Sequence, residues 1–305
     1  MDKVIRIGTR DSQLAVWQAN KVKQLLEVQG HRPELVFVKS EGDIDLQTPL
    51  YELGVQGIFT KALDIALLNK EIDMAVHSMK DVPTVPAKGI VQAAVLPRAS
   101  YKDILVPKNG IAFLDDHHSS AVIATSSTRR RAQWLNKYPN HRIENLRGNV
   151  NTRLRKVKED NWDGAIFAAA GLERIELRPG NAIELDWMLP APAQGAIMIV
   201  CREEDKQVFD ACNPLNDITT ALCTKIERDF LRALLGGCTT PISALAEIAG
   251  ETINFRGNIL SLDGKKKAAI SKTIQKNDVD AGKTIAEELL RMGGKEILET
   301  IRNAK

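Results

Sequence analysis

The run Ala75-Val76-His77-Ser78-Met79-Lys80-Asp81-Val82-Pro83 passes from apolar residues straight into adjacent opposite charges. Met74, Val76 and the apolar residues before them read as a buried strand, and Pro83 and Pro86 stop regular structure from continuing. That pattern predicts Lys80 and Asp81 on a loop at the strand's carboxyl end, where open α/β sheets bind ligands. A carboxylate beside a lysine can serve as an acid/base group, a cation stabiliser or an anion clamp. It can equally be a turn whose charges face water, so the remainder of the chain has to decide.

A second chemistry-bearing stretch is strongly basic. Between Arg129 and Lys158 ten cations (Arg129, Arg130, Arg131, Lys137, Arg142, Arg147, Arg153, Arg155, Lys156 and Lys158) face one anion, Glu144. Thr125-Ser126-Ser127-Thr128 precedes the first arginines at an expected helix start, where free backbone N–H groups favour anions. Arg147-Gly148-Asn149-Val150 likewise joins a strand to a helix, with Arg153 on that helix's first turn. Near the N-terminus Arg10, Ser12 and Gln18 repeat the arrangement. Arginine's planar fork suits carboxylate or phosphate capture. One charge run is ordinarily a solvated helix face, but three strand-to-helix junctions of this kind point to a polyanionic ligand held between two α/β domains.

Nucleic acid is the competing polyanion. The aromatic content is only 5%, with no aromatic-interleaved basic stripe for stacking bases, and no helix-turn-helix pattern accompanies the helix near Arg129–Tyr138. A phosphate loop also fails, because Gly282-Lys283-Thr284 has Asn277 where the first glycine is required. The four cysteines, Cys201, Cys212, Cys223 and Cys238, form no CxxC pair and have no histidine at zinc-ligand spacing, which argues against a disulfide framework or a metal site. Cys238 stands apart: Gly236-Gly237 before it and Pro241 after it predict a stiffened loop open to close approach. Cys201 and Cys223 fall at ordinary packing positions.

The elements that must position these groups alternate. Strands are expected at Val4–Ile7, Leu35–Val38 and Met74–Val76, with helices from Ser12 to Gly30 and from Thr60 to Asn69, which implies parallel βαβ units. The pattern restarts with strands at Ala121–Ala124, Ile143–Leu146 and Ala165–Ala170 and helices at Thr128–Tyr138 and Asn151–Lys158. A strand at Ala196–Val200 could return to the first sheet and make the first domain discontinuous. From Asp217 a long amphipathic helix leads to strands at Ile242–Ile248, Ile253–Leu262 and Ala268–Ile274, the last two joined by Asp263-Gly264, and two helices near Asp278–Met292 and Lys295–Arg302 follow. That is an α+β pattern.

The 305 residues, 44% hydrophobic and 27% charged, belong to an ordinary globular chain, and a net charge of +3 argues for neither nucleic acid nor membrane. Met1-Asp2-Lys3 leads directly into a strand and no apolar run approaches membrane-spanning length, so a cytoplasmic location is expected.

Taken together, the segments RDSQLAVWQA (Arg10 to Ala19), AVHSMKDVP (Ala75 to Pro83), TSSTRR (Thr125 to Arg130), LRGNVNTRL (Leu146 to Leu154), AGLER (Ala170 to Arg174), PAQGA (Pro192 to Ala196) and GGCTTPI (Gly236 to Ile242) closely resemble the porphobilinogen deaminase family, nearly end to end. The resemblance implies two periplasmic-binding-protein-like α/β domains with a third, smaller α+β domain. These are expected at 1–98 plus 196–216, at 99–195, and at 217–305, the last carrying the cofactor cysteine. It implies a transferase that joins four porphobilinogen molecules head to tail with release of ammonia, then hydrolyses off a linear tetrapyrrole. Its dipyrromethane cofactor would be attached by a thioether to Cys238. Each pyrrole carries an acetate and a propionate, so the growing chain is a polyanion. Arg10, Arg129, Arg130, Arg147, Arg153 and Arg174 would bind these carboxylates, assisted by Lys80, Ser12, Gln18, Ser126 and Ser127, with Gln194, Gly195 and Ala196 as further contacts. Asp81 would be the catalytic residue, hydrogen-bonding pyrrole N–H groups and stabilising the positive charge that develops as ammonia leaves. No metal, nucleic acid or membrane partner is implied, and the family suggests a monomer.

The chain departs from the family in places. Glu52 and Gln56 stand where many members carry lysine near a flexible loop, so basic contacts from that loop are not expected, while Phe59 and Lys61 remain loop candidates. Thr128 replaces the usual leucine before the arginine pair, and Thr239, Thr240 and Ser243 vary the cysteine loop. None removes a required functional group. A non-catalytic anion receptor with two α/β lobes is the alternative, but such receptors need no third domain offering a thiol.

Overall fold

The computed structural model describes residues 4–39, 60–116, 118–234 and 240–303. In chain order its strands are β1 (Ile5–Thr9), β2 (Pro33–Phe37), β3 (Met74–Ser78), β4 (Ile90–Val95), β5 (Asp103–Pro107), β6 (Val122–Ala124), β7 (Arg142–Glu144), β8 (Gly164–Ala168), β9 (Ile183–Glu184), β10 (Ile197–Arg202), β11 (Ile242–Ala249), β12 (Thr252–Leu260) and β13 (Lys267–Gln275). The fold is mixed α/β. The described residues up to Ala99, together with Gly195–Leu222, form one compact unit; Ser100–Gln194 and the described residues from Cys223 onward form the other.

The first unit is built on a sheet of order β2-β1-β3-β10-β4. β1 runs parallel to β2 and β3, as the βαβ pattern predicts. The strand expected at 196–200 does enter this sheet, but antiparallel, between β3 and β4, so the sheet is mixed rather than wholly parallel. β10 is buried along its whole length and β3 along all but its last residue, which is why Met74–Val76 and Ile197–Cys201 read as apolar runs without alternation. Ile5, Ile7, Met74, Val76, Ile197 and Ile199 pack with Val22 and Leu26 of helix Gln13–Val28. Gly8 leaves room for its neighbours: a Cβ there would lie 2.2 Å from Ile72 Cδ1, so the Ile72 side chain would have to shift. The predicted loop after β3 is instead a single 3-10 turn, Met79–Asp81, closed by Val82 N–H donating to the Met79 carbonyl at 3.2 Å.

The second unit holds two sheets. One has order β7-β6-β8-β5-β9, with β6 parallel to β7 and β8, and β5 antiparallel to β8. Ala169 and Ala170, expected to continue the strand, open the helix Ala169–Glu173. Helix Thr128–Lys137 is pinned by the fully buried Trp134, which packs among Leu105, Ile123 and Ile166 and donates its indole N–H to His141 Nδ1 at 3.2 Å. The other sheet is an antiparallel meander, β11-β12-β13, whose Asp263-Gly264 turn falls where the sequence predicts it, with Gly264 at φ +75°. Helix Ala281–Leu289 lies against helix Ile218–Ala233, and a Cβ on Gly282 would meet the Ile226 carbonyl at 2.4 Å. Gly282 thus serves helix packing. The two helices expected near Asp278–Met292 and Lys295–Arg302 are both present, parted by a kink at Met292 and Gly293.

Candidate functional site

In the first unit the carboxyl ends of β1 and β3 lie side by side, since Ile7 and Gly8 register with Met74 and Ala75. β1 ends at the buried Thr9, and the half-buried Arg10 follows. Ser12 then caps helix Gln13–Val28, its Oγ accepting from Ala15 N–H at 3.4 Å in the extended conformation that N-caps adopt. One turn on, the buried Gln18 donates from Nε2 to Ser78 Oγ at 2.9 Å, tying the helix to the end of β3. The 3-10 turn then presents half-buried Lys80 and exposed Asp81. Met79 N–H donates to the Ala196 carbonyl at 3.0 Å, and Ala99 N–H to the Gly195 carbonyl at 3.1 Å. Arg10, Ser12, Gln18, Lys80, Asp81, Gly195 and Ala196, scattered in sequence, therefore share one sheet edge. The neighbouring His77 is buried; burial and the positive charge of Arg10 push its imidazole down to about 4, so it is neutral at physiological pH.

In the second unit β7, β6 and β8 are parallel, so their carboxyl ends also share an edge. Beyond β6, Ser126 Oγ accepts from Leu146 N–H and donates to the Leu146 carbonyl, both at 2.9 Å, stapling the junctions after β6 and β7 together. Ser127 caps helix Thr128–Lys137 through Arg130 N–H at 3.4 Å. Beyond β7, Asn149 caps helix Val150–Glu159 through Thr152 N–H at 2.9 Å, and Arg153 Nε donates to the Gly148 carbonyl at 2.7 Å. Beyond β8, the short helix Ala169–Glu173 ends at Arg174.

The basic run divides by burial. Arg131, Lys137, Arg142, Arg155 and Lys158 are exposed, a solvated face, whereas Arg129, Arg130 and Arg147 are buried at the strand ends. Asp103, a residue sequence reasoning missed, holds the first two. It opens the antiparallel β5 and so lies at the same edge, paired with Ala168 at the end of β8. Its Oδ1 accepts from Arg130 Nε at 3.0 Å, Arg130 Nη2 at 2.7 Å and Gln194 Nε2 at 2.9 Å, while Arg129 Nη1 lies 2.7 Å from Oδ2. Arg130 Nη1 goes to the Ile166 carbonyl at 2.9 Å. Arg130 therefore spends its fork on the protein. Two guanidiniums against one carboxylate leave a surplus positive charge in this trio, and buried Arg129 Nε has no hydrogen-bond partner among the described residues. Burial lowers Arg129, partly offset by Asp103, and burial pushes Arg174 down to about 10. Such desolvated cations gain most from an incoming carboxylate.

Cys238, Glu52, Gln56 and Phe59 lie outside the described residues. Lys61 is exposed at the start of helix Lys61–Leu68. Cys201, Cys212 and Cys223 are buried, and burial pushes Cys201 to about 11 and Cys212 to about 12, so neither is a nucleophile at neutral pH.

A family model described as porphobilinogen deaminase, dipyromethane cofactor binding domain, matches residues 5–210, and one described as its C-terminal domain matches 221–291. The porphobilinogen deaminase of Desulforamulus reducens is 40% identical over 309 residues, covering 99% of this chain and 99% of that protein. That of Syntrophotalea carbinolica is 41% identical over 303 residues, covering 97% and 96%. Among solved structures, an ancestral cationic amino acid solute binding protein aligns with a TM-score of 0.45 at 15% identity, over 70% of this chain and 87% of that one. With both family domains matched in order and relatives similar along almost their entire length, the chain belongs to the porphobilinogen deaminase family.

Proposed function

We propose that this protein is a hydroxymethylbilane synthase, which deaminates four porphobilinogen molecules, joins them head to tail, and releases the linear tetrapyrrole by hydrolysis. The observation that carries this reading is the desolvated positive cluster at the ends of β7, β6 and β8. Arg129, Arg147 and Arg153 gather there, with Arg174 following β8, and Arg129 Nε is buried without a hydrogen-bond partner among the described residues. A dipyrromethane carries an acetate and a propionate on each ring, and this donor set suits it. When bound it supplies the primer pyrrole to which the first substrate is joined. Cys238 is the proposed thioether attachment point, and the inert character of the buried Cys201 and Cys212 supports that choice.

In this reading Arg10, Arg129, Arg147, Arg153 and Arg174 bind ring carboxylates, with Ser12, Gln18, Lys80, Ser126, Ser127, Gln194, Gly195 and Ala196 completing the contacts. Arg130 contributes charge while its hydrogen bonds go to Asp103 and Ile166. Asp81 is exposed on a turn fixed by the hydrogen bond from Met79 to Ala196, so its carboxylate can accept from pyrrole N–H groups. As the C–N bond of porphobilinogen breaks and ammonia leaves, Asp81 stabilises the positive charge on the ring. A carbon–carbon bond then forms and the attacking pyrrole loses its α-proton. We take the protein to be a cytoplasmic monomer of three domains, 1–98 with 196–216, 99–195 and 217–305, with no nucleic-acid or membrane partner. Among the described residues no helix is long and apolar enough to cross a membrane.

The test is intact-protein mass spectrometry with an assay of ammonia release from porphobilinogen. A mass exceeding the chain by two pyrrole units, together with ammonia release, is expected; an unmodified chain that leaves porphobilinogen intact would overturn the reading.

A further inference from the structure

Gln133 lies one helical turn beyond Arg129 on helix Thr128–Lys137, only 5% exposed, and both ends of its amide are used. Its Oε1 accepts from Leu189 N–H at 2.9 Å, and its Nε2 donates to the Leu189 carbonyl at 2.9 Å. That same carbonyl accepts from Arg129 Nη1 at 2.7 Å. The Arg129 and Gln133 side chains, neighbours at i and i+4, therefore share one acceptor, and moving either disturbs the other. The Gln133 Nε2 also donates to Ser243 Oγ at 3.1 Å. Ser243 is fully buried on β11, which begins at Ile242, four residues after Cys238 in sequence. A second attachment lies on the same helix: Asn136 Nδ2 donates to the Gly264 carbonyl at 2.8 Å, and a Cβ on Gly264 would lie 2.5 Å from the Ala132 carbonyl. The arginine helix and the meander that follows the thiol segment are thus joined at two points.

We propose that Gln133 is a positioning residue, setting Arg129 in register with the strand that leads away from Cys238; this rests on the function proposed above. A chain of carboxylates tethered at Cys238 meets Arg129 at a fixed distance only if β11 and the arginine helix keep one relative placement. Gln133 supplies the direct side-chain link, because it bonds Ser243 and shares Leu189 with Arg129. Gln133→Ala leaves the Leu189 N–H without its side-chain partner and removes the neighbour that fixes the carbonyl Arg129 shares, so Arg129 keeps Asp103 but loses its register with β11. Ser243→Ala removes only the link to β11.

The experiment measures steady-state kinetics with porphobilinogen for the wild-type holoenzyme, Gln133→Ala, Ser243→Ala and the double variant. Intact mass reports cofactor loading and thermal unfolding reports the fold. Gln133→Ala is expected to raise KM roughly tenfold with kcat within about threefold, Ser243→Ala to raise KM by about two- to threefold, and the double variant to be no worse than Gln133→Ala, since both break one linkage. A KM unchanged in Ser243→Ala, or effects that simply add, would overturn the positioning role even if Gln133→Ala failed to fold. A wild-type protein that carries no dipyrromethane and consumes no porphobilinogen overturns the function itself, so the two failures are distinct.

Discussion

Asp103 and Arg130 form a buried pair in which one carboxylate oxygen, Oδ1, accepts from both Nε at 3.0 Å and Nη2 at 2.7 Å. With Arg129 Nη1 at 2.7 Å from the other oxygen, Asp103 compensates two cations that are each more than nine-tenths buried. Removing one partner of such a group leaves uncompensated buried charge, which costs about 3–5 kcal/mol. Asp103→Ala is therefore expected to lower the denaturation midpoint sharply, with Asp103→Asn intermediate because it keeps an acceptor for Arg130. Urea unfolding of the three proteins checks this, and coincident midpoints would show that the pair contributes no net stability.

Gly148 sits between Arg147 and the Asn149 cap at φ +106°, where L-residues are strained, and a Cβ there would lie 2.8 Å from Thr152 Cγ2. Its carbonyl also accepts from Arg153 Nε. Gly148→Ala should displace both arginines together. We expect roughly 1–3 kcal/mol of destabilisation and a raised KM for porphobilinogen. Unfolding measured beside kinetics distinguishes this from a purely local strain, which would leave KM alone.

Much of this edge is legible in the sequence because its signals are local. Ser12, Ser127 and the turn at Asp263-Gly264 each act within a few residues, and the structure puts them where propensity does. β4 and β5 are not legible: IVQAAV and DILVP lack a clean alternation, being buried on most positions by neighbours distant in sequence. The antiparallel entry of β10 between β3 and β4 is likewise a tertiary choice that no local pattern encodes. Counting charges along the basic run makes Glu144 its sole counter-ion, whereas Glu144 is exposed and the counter-charge is Asp103, well outside the run. Arg129 and Arg130 are adjacent and chemically identical in sequence; only packing shows that Arg130 is committed to Asp103 and Ile166 while Arg129 retains a buried Nε.

Arg174 should show function and stability in opposition. Burial lowers it to about 10, partly offset by Glu173, so keeping it charged at neutral pH costs folding free energy of up to roughly 3 kcal/mol. Arg174→Leu is expected to unfold at equal or higher denaturant than wild type while KM rises roughly ten- to a hundredfold, the range for losing a charged hydrogen bond. A variant less stable than wild type with normal KM would make Arg174 a structural residue.

Asp81 and Cys238 are separable by what each variant retains. Asp81→Ala should leave unfolding unchanged, since the side chain is exposed, and reduce turnover by at least about a hundredfold, the scale of acid–base catalysis. Cys238→Ser should instead remove the covalent dipyrromethane, read directly as lost mass. Near-normal tetrapyrrole formation by Asp81→Ala would reject its catalytic role, and a full adduct in Cys238→Ser would reject the attachment point.

Acid stability should fall in two windows assignable to two buried groups. Burial and Arg10 depress His77 from 6.5 to about 4, so between those values the unfolded chain binds a proton that the folded state refuses. The His77 contribution is full above about pH 6.5 and is lost as pH falls to 4, by roughly 3 kcal/mol in all, while Asp64, whose carboxyl burial raises to about 6, shifts stability the opposite way over the same range. For Asp73, burial alone would raise the carboxyl, but hydrogen bonds from Arg6 N–H (2.9 Å), Arg6 Nε (3.0 Å) and Arg202 Nη2 (3.2 Å) outweigh it and hold it near 2 instead of 3.8. Its contribution is present above about pH 3.8 and is lost as pH drops toward 2. His77→Phe should flatten the upper decline and spare the lower, and Asp73→Asn should do the reverse at the cost of lower stability at neutral pH. Urea midpoints from pH 7 to 2 decide, and an upper decline that persists in His77→Phe would assign that proton uptake to another group.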